Sequence, residues 1–332
     1  MQTKREIREL LSSAGVSPNR KLGQHFLVDL NLMRLLVDSA QIGPNDVVLE
    51  IGTGTGSLTE ALAEAAGHVV TVELDPTLAG IAESQLADAK NVQIINADVL
   101  SGKGTINPTV TAALAQAEAR LRDAGPIGPI DLVGPIQVRL LLVSNLPYDV
   151  ASPVMINLVK GPVTAEAMFV TVQKEVAERM TAKPGSRDYG TLSIFLQATG
   201  EVETIRRLKP SVFWPPPAVD SAMVRYVRDR DKSRRILDMD LFGAVIGLFI
   251  GHRRKMLRAC IKEAPPELGG RACRGLPARD PRAGRPRHGG DRDLWLEIFE
   301  QHAIDPTLRP EDLSPEQYVD LANSCHQLLR AL

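Results

Sequence analysis

An exocyclic amine on an aromatic base is a poor nucleophile because its lone pair is delocalised into the ring. The segment Ser144-Asn145-Leu146-Pro147-Tyr148 carries groups that correct this. The side-chain carbonyl of Asn145 and the backbone carbonyl of Leu146 or Pro147 can each accept one N–H of such an amine, turning its lone pair toward an electrophile. Proline fixes the backbone there and brings no competing donor. Tyr148 can stack on a base taken out of its helix. Read more plainly, the same residues are a strand-ending turn, so the choice rests on what stands opposite them.

Opposite them is Glu50-Ile51-Gly52-Thr53-Gly54-Thr55-Gly56, where small residues let a backbone approach a ligand at a strand-to-helix turn. The dinucleotide fingerprint would need a third glycine where Ser57 stands, which weakens a pyrophosphate reading and with it a nicotinamide oxidoreductase. Glu73 follows Gly52 by about 20 residues, where an acidic side chain can accept both ribose hydroxyls. Asn96-Ala97-Asp98 ends a third apolar run, and its carboxylate can take the amino group of an adenine. Together the three describe an adenosine pocket.

These residues need a frame that brings strand ends together. Apolar runs at Val47–Ile51, Val69–Val72, Val92–Ile95, Leu140–Val143 and Met168–Val172 predict buried strands. Ser57–Ala66 and Thr77–Ala87 predict intervening helices, so the fold class is α/β, a parallel sheet with helices on both faces. Ligands bind at the carboxyl ends of such strands. Gly200–Lys209 and Ala222–Val227 predict two more strands, joined through Trp214-Pro215-Pro216-Pro217. Beyond Asp229 the pattern is helical, clearest at Leu241–Ile261 and Pro315–Leu329, with a domain boundary in Arg228–Asp238. Residues 1–230 and 236–332 are therefore expected as two domains. The 98–145 connection is long and predicts an inserted, peripheral helix over Thr109–Ala124. Gly269–Asp291, rich in Gly, Arg, Pro and Ala, predicts an extended or disordered loop. Such a composition is also what paired frameshifts in a GC-rich gene would produce, which resequencing the gene tests.

At 332 residues, with 44% apolar and 24% charged side chains, the chain has enough interior for two folded domains and is unlike disordered, collagenous or coiled-coil sequences. The formal charge of −1 predicts no polyanion partner, but its distribution is uneven. Residues 1–200 hold 16 basic and 21 acidic side chains, and residues 201–332 hold 23 and 19. Arg253–Arg292 alone holds 12 basic and 4 acidic, which permits a nucleic-acid face. Cys260, Cys273 and Cys325 form no C-x-x-C pair, so neither a disulfide framework nor a metal site is expected. The charged start at Met1–Leu11 is not a signal peptide, and the apolar Leu241–Gly251 is about half a membrane span, so a cytoplasmic location without membrane contact is expected.

Three motifs, Asn145-Leu146-Pro147-Tyr148, Glu50-Ile51-Gly52-x-Gly54-x-Gly56 and Lys21-Leu22-Gly23-Gln24-His25-Phe26-Leu27, jointly resemble the KsgA family of small-subunit rRNA adenine dimethyltransferases. Val172–Arg179, Tyr189–Ser193, Phe213–Ser221 and Arg253-Arg254-Lys255-Met256-Leu257 match as well, in the same order. The resemblance covers about Asn19–Ile261 and again Trp295–Leu329. It implies a Rossmann-like class I S-adenosylmethionine-dependent methyltransferase domain with a small helical C-terminal domain. It also implies transfer of two methyl groups to N6 of each of two adjacent adenosines in the 3′-terminal hairpin of 16S rRNA, with a role in ribosome biogenesis. Carried over by position, Gln24, His25, Leu27, Gly52, Gly54, Glu73, Asp98 and Asn145 line the cofactor site. Asn145, Pro147 and Tyr148 hold the target base, and Phe213 covers its other face. Arg253, Arg254 and Lys255, with the C-terminal helices, grip rRNA phosphates. No metal is implied, and a monomer is the default.

Departures from the family pattern are His25, where Asn is usual, and Ala218, where Lys is common. Two other readings stay open: a 23S rRNA adenine N6-methyltransferase of the antibiotic-resistance type, and a ribosome-assembly factor without catalysis. A DNA adenine methyltransferase also uses Asn-x-Pro-Tyr but lacks the motif around Gln24.

Overall fold

β-branched and aliphatic residues concentrate in runs of five to seven that are buried on both faces, and these runs become the middle of one sheet. The computed structural model describes residues 1–19, 22–102, 104–124, 137–265, 268 and 290–331. In chain order, α1 (Lys4–Ser13) and β1 (Phe26–Leu27) precede α2 (Leu30–Ala40), β2 (Asp46–Ile51), α3 (Ser57–Ala65) and β3 (His68–Glu73). Next come α4 (Pro76–Gln85), β4 (Val92–Asn96), α5 (Pro108–Ala124), β5 (Arg139–Asn145), α6 (Ala151–Lys160), β6 (Ala167–Gln173) and α7 (Lys174–Met180). After α8 (Thr191–Thr199) the chain forms β7 (Gly200–Leu208), β8 (Phe213–Trp214) and β9 (Ser221–Arg228). It continues with α9 (Arg230–Arg234), α10 (Met239–Ile250), α11 (Leu257–Cys260), α12 (Gly290–Gln301) and α13 (Pro315–Ala331).

Two units divide the chain: Met1–Thr181 with Glu201–Arg228, and Ala182–Gly200 with Asp229–Leu332. The second unit is thus assembled from two stretches, unlike the single run over 1–230 and 236–332 that the sequence suggests. It takes in α8 because Phe195 meets Phe242 of α10 edge-on, with ring centroids 5.3 Å apart.

The sheet runs β4-β3-β2-β5-β6-β9-β7. β2 pairs in parallel with β3 and β5, β3 with β4, and β5 with β6, whereas β9 is antiparallel to β6. All five strands expected for the parallel sheet are present. The chain leaves β2 toward β3 and β4, then returns to place β5 on β2's other side. That reversal opens a crevice outside the carboxyl ends of β2 and β5. At the opposite end, the buried carboxylate of Asp46 takes Arg139 Nε at 2.8 Å and Nη2 at 2.5 Å, tying the start of β2 to the start of β5.

The helix over Pro108–Ala124 is where its periodicity places it, but it is not peripheral. Its apolar face (Val110, Ala113, Leu114, Ala117, Leu121) is buried, and α5 packs on β2 and β3 as the crossover helix between β4 and β5. A stripe that apolar can cover a sheet face, and here it does.

A two-stranded ribbon closes the first unit. β1 and β8 pair antiparallel, Phe26 with Trp214 and Leu27 with Phe213. Leu27 and Phe213 turn into the core with Met33, Leu36 and Met223, while Phe26 and Trp214 stack on the other side, centroids 6.3 Å apart.

In the second unit the long helix expected over Leu241–Ile261 stops at Ile250. At Gly251 a side chain would stand 2.7 Å from the carbonyl of Gly247, and His252–Lys255 form a turn before α11. The expected loop at Gly269–Asp291 lies outside the described residues except for its last two, which open α12. Phe249, Trp295, Phe299 and Tyr318 form an aromatic cluster with centroids 5.3–6.4 Å apart. None of the helices among the described residues is long and apolar enough to cross a membrane.

Candidate active site

β2 ends at Ile51, and the chain must turn sharply to start α3. Gly52 does this at φ +88°, where a side chain would be strained and its Cβ would lie 3.3 Å from Pro147 Cγ and 3.8 Å from the carbonyl of Asn145. The glycine turn and the Asn145–Tyr148 segment therefore face each other across one backbone's width. Gly54, at φ +58°, leaves room for the ring of Phe26, 3.0 Å from where its Cβ would be. Together they open one cleft, about 1030 Å³ with the solvent at its mouth included. Gln24, His25, Leu27, Gly52, Gly54, Glu73, Asp98, Asn145 and Pro147 all line it.

The Glu73 carboxylate is anchored at the end of β3 by two backbone donors. Gly54 N–H gives to Oε2 and Asp75 N–H to Oε1, each at 2.9 Å. A carboxylate has about four acceptor positions, so at least one remains for a hydroxyl. Burial pushes this carboxyl above its ordinary value, and the N–H groups of Asp75, Gly54 and Leu74 oppose that rise. Asp98 is exposed on the rim, with Oδ1 accepting from Leu100 N–H at 2.9 Å. Gln24 acts at one remove: its side chain bridges Asp75 Oδ2 (3.1 Å) and the N–H of Asn19 (2.7 Å), which pins the entering loop against α4.

Glu50 interrupts the apolar run Val47–Ile51, so burial should force it to find partners. It does, in residues the motif does not include. Its Oε2 accepts from Thr59 Oγ1 at 2.6 Å and from Thr71 Oγ1 at 2.7 Å, and Thr71 in turn meets Thr53 at 2.6 Å. Burial pushes the Glu50 carboxyl up to about 8, so it is mostly neutral at pH 7. Thr59 and Thr71 are legible only through that signal, a carboxylate in a buried strand.

At the other wall, Asn145 Nδ2 donates to the backbone carbonyl of His25 at 2.8 Å, and Thr171 Oγ1 donates to Asn145 Oδ1. His25 Nδ1 lies 2.7 Å from the carbonyl of Pro215, which can only accept, so Nδ1 carries the proton. The His25 ring stacks on Tyr148, centroids 5.7 Å apart, and the Tyr148 hydroxyl meets Ser221 Oγ at 3.0 Å. Tyr148 thus stands beside the cavity with its ring held at both ends.

Phe213 is a correction. Instead of facing Tyr148 across a base site, its ring is 4% exposed and packed in the core with Leu27, Leu208 and Met223. In a two-residue strand one side chain must point in and the other out, and here the outward one is Trp214, over whose ring the Arg8 guanidinium lies at 6.0 Å.

The basic triplet of the second unit also divides. Arg253 is committed inside its own unit, to Glu311 at 2.6 Å and to the carbonyls of Arg187 and Ser186 at 2.9 and 3.3 Å. This corrects its reading as a phosphate contact. Lys255 is exposed and pairs with Glu263 at 3.4 Å, and Arg254 is exposed. Among the described residues no group of three His, Cys, Asp or Glu side chains is placed to hold a metal ion.

Comparison with known proteins bears on this arrangement. A family model described as ribosomal RNA adenine dimethylase matches residues 15–268. A ribosomal RNA small subunit methyltransferase A of Pelotomaculum thermopropionicum is 34% identical, over 96% of this chain and 95% of its own. One of Bacillus cytotoxicus is 32% identical over 97% and 96%. Among solved structures, a dimethyladenosine transferase from Plasmodium falciparum superposes with a TM-score of 0.63 at 21% identity, covering 90% of this chain and 96% of that one. The 23S rRNA methyltransferase ErmE gives 0.55 at 21%, covering 91% and 100%. These last two likenesses are of fold.

Proposed function

The chain belongs to the ribosomal RNA adenine dimethylase family, and from that premise we propose that it dimethylates N6 of each of two adjacent adenosines in the 3′-terminal hairpin of 16S rRNA, within the small ribosomal subunit and with S-adenosylmethionine as donor. One observation carries this reading: Asn145 and Pro147 stand against the Gly52 turn and line the same cavity as the anchored Glu73 carboxylate.

The residues present fit that cofactor. The hollow beside Gly52 and Gly54 is one that side chains would fill, Glu73 suits its ribose hydroxyls and Asp98 its adenine amino group. Gln24, His25 and Leu27 complete the wall. When bound, S-adenosylmethionine supplies an electrophilic methyl group on a sulfonium, a leaving group that needs no acid assistance.

The protein's part is orientation. Asn145 Oδ1 has one lone pair beyond the Thr171 contact and accepts one N–H of the adenine amine. The second N–H goes to the backbone carbonyl of Leu146 or of Pro147, the latter keeping one lone pair beyond the Val150 N–H at 3.3 Å. Tyr148 stacks on the base, and the N6 proton passes to water. Placement of this kind is worth many powers of ten in rate, with no strong side-chain base. Arg254 and Lys255 add salt-sensitive contacts to rRNA phosphates. A cytoplasmic monomer acting during ribosome biogenesis accompanies this reading.

The test is transfer of labelled methyl to small subunits from a strain lacking the modification, with digestion to nucleosides. Wild type should yield dimethyladenosine in 16S rRNA, and Asn145→Ala should lose at least 100-fold in rate while still folding and binding cofactor. Label in 23S rRNA instead would favour the antibiotic-resistance type. Absence of transfer by folded, cofactor-binding protein would favour an assembly factor.

A further inference from the structure

Asn has a side chain whose last torsion is broad, because rotation about an sp³–sp² bond meets no sharp staggered wells. A carboxamide that must aim one lone pair at a substrate therefore needs a contact at each end to fix its plane. The nitrogen end of Asn145 has one in the His25 carbonyl, 2.8 Å away. The oxygen end has the hydroxyl of Thr171, which belongs to none of the motifs that mark the site.

The sheet explains why Thr171 can do this. β5 and β6 pair in parallel with Asn145 directly beside Thr171, and Thr171 is 1% exposed. A hydroxyl so buried must be satisfied by protein, and its donor goes to Asn145 Oδ1. The two contacts are also complementary in sign. A carbonyl can only accept, so the His25 contact identifies the nitrogen end, and the Thr171 donor then occupies one lone pair of the oxygen and leaves the other.

We propose that Thr171 is a positioning residue for methyl transfer: its hydroxyl fixes the plane of the Asn145 carboxamide so that the remaining Oδ1 lone pair meets the N6 amine. This deepens the reading above and rests on it for its kinetic part. Without the hydroxyl the amide hangs from the His25 contact alone and swings about its last torsion. The base still stacks on Tyr148, and the cofactor still meets Glu73 and Asp98. The loss therefore falls on kcat, not on binding.

The test compares wild type with Thr171→Val, which keeps the branched shape, and Thr171→Ser, which keeps the hydroxyl. Thr171→Val should lower kcat about 10-fold, with KM for small subunits and cofactor affinity within twofold. Thr171→Ser should recover to within threefold of wild type. A Thr171→Val enzyme with wild-type kcat overturns the proposal. So does a Thr171→Ser enzyme as slow as Thr171→Val, since the effect would then be one of packing. A second measurement needs no substrate. In ¹⁵N spectra of the full chain, the Asn145 side-chain amide, identified by its loss in Asn145→Ala, should give a sharp pair of resonances in wild type and Thr171→Ser. It should be broadened or averaged in Thr171→Val, and unchanged resonances there overturn the proposal. If wild type labels no small subunit, the substrate reading fails while the spectra still decide the role of Thr171.

Discussion

Glu50 of the first unit and Tyr318 of the second are both shut off from solvent, and their polar atoms end in different places. Glu50 is met by the hydroxyls of Thr59 and Thr71 and lies on a cavity wall. Tyr318 gives its hydroxyl to the carbonyl of Pro310 at 2.8 Å. Tyr189 does the same to Leu313 at 2.9 Å, and Trp295 Nε1 to Leu268 at 3.0 Å. A polar tip that closes on backbone holds a helix or loop in place and has nothing left over. A group satisfied by other side chains at the edge of a cavity retains lone pairs for something else. Arg253, closed on Glu311 and on the carbonyls of Arg187 and Ser186, sides with the scaffold group.

The sharpest way to break this comparison is to remove a scaffold ring. Trp295→Ala should destabilise the second unit by about 3–5 kcal/mol, read as a lowered denaturant midpoint, while the cofactor affinity of protein still folded stays within twofold. Loss of cofactor binding in step with unfolding would show that the two classes are not separable.

Glu50 offers a pH test. Its folded value of about 8 lies above the ordinary carboxyl value of 4.5, so the native protein holds a proton that the unfolded chain gives up. The stability this provides is full below about pH 4.5 and is lost as pH rises through 8, at up to ~1.4 kcal/mol per pH unit. Glu50→Gln should flatten that slope between pH 5 and 8 in denaturation curves taken at a series of pH values. A slope unchanged by the substitution would place the proton elsewhere.

Smaller effects separate the neighbouring arginines. Arg253→Ala should cost about 1–3 kcal/mol of stability, because it strands Glu311 and two carbonyls. Arg254→Ala should leave the unfolding curve in place and weaken small-subunit binding about 2–3-fold, with a shallower salt dependence. The reverse pattern would restore Arg253 as the phosphate contact.

These contrasts also mark what was legible in the sequence. The five parallel strands, the glycine turn, Glu73 and Asn145 are visible as local patterns, since a buried strand needs apolar residues and a tight turn needs glycine. The helix at Pro108–Ala124 shows its periodicity, but whether it covers the sheet depends on where the chain returns. Thr171 is invisible because parallel register is decided by crossovers far along the chain. Phe213 and Trp214 cannot be told apart in a strand of two residues, and Arg253 depends on Glu311, 58 residues away.

The β1–β8 ribbon has a consequence for how the protein comes into being. His25 supports Asn145 from 120 residues away and is itself held by Pro215 from 190 residues away. A chain growing from its N-terminus makes the glycine turn and Glu73 early, but it cannot brace His25 until Pro215 has emerged. β9, which covers the open edge of β6, comes later still. Contacts of such separation form slowly, and an uncovered strand edge invites wrong pairing meanwhile. The wall built from His25, Asn145 and Tyr148 is therefore among the last parts of the first unit to be finished, and in a nascent chain stopped before Pro215 the His25 ring lacks the carbonyl that holds it.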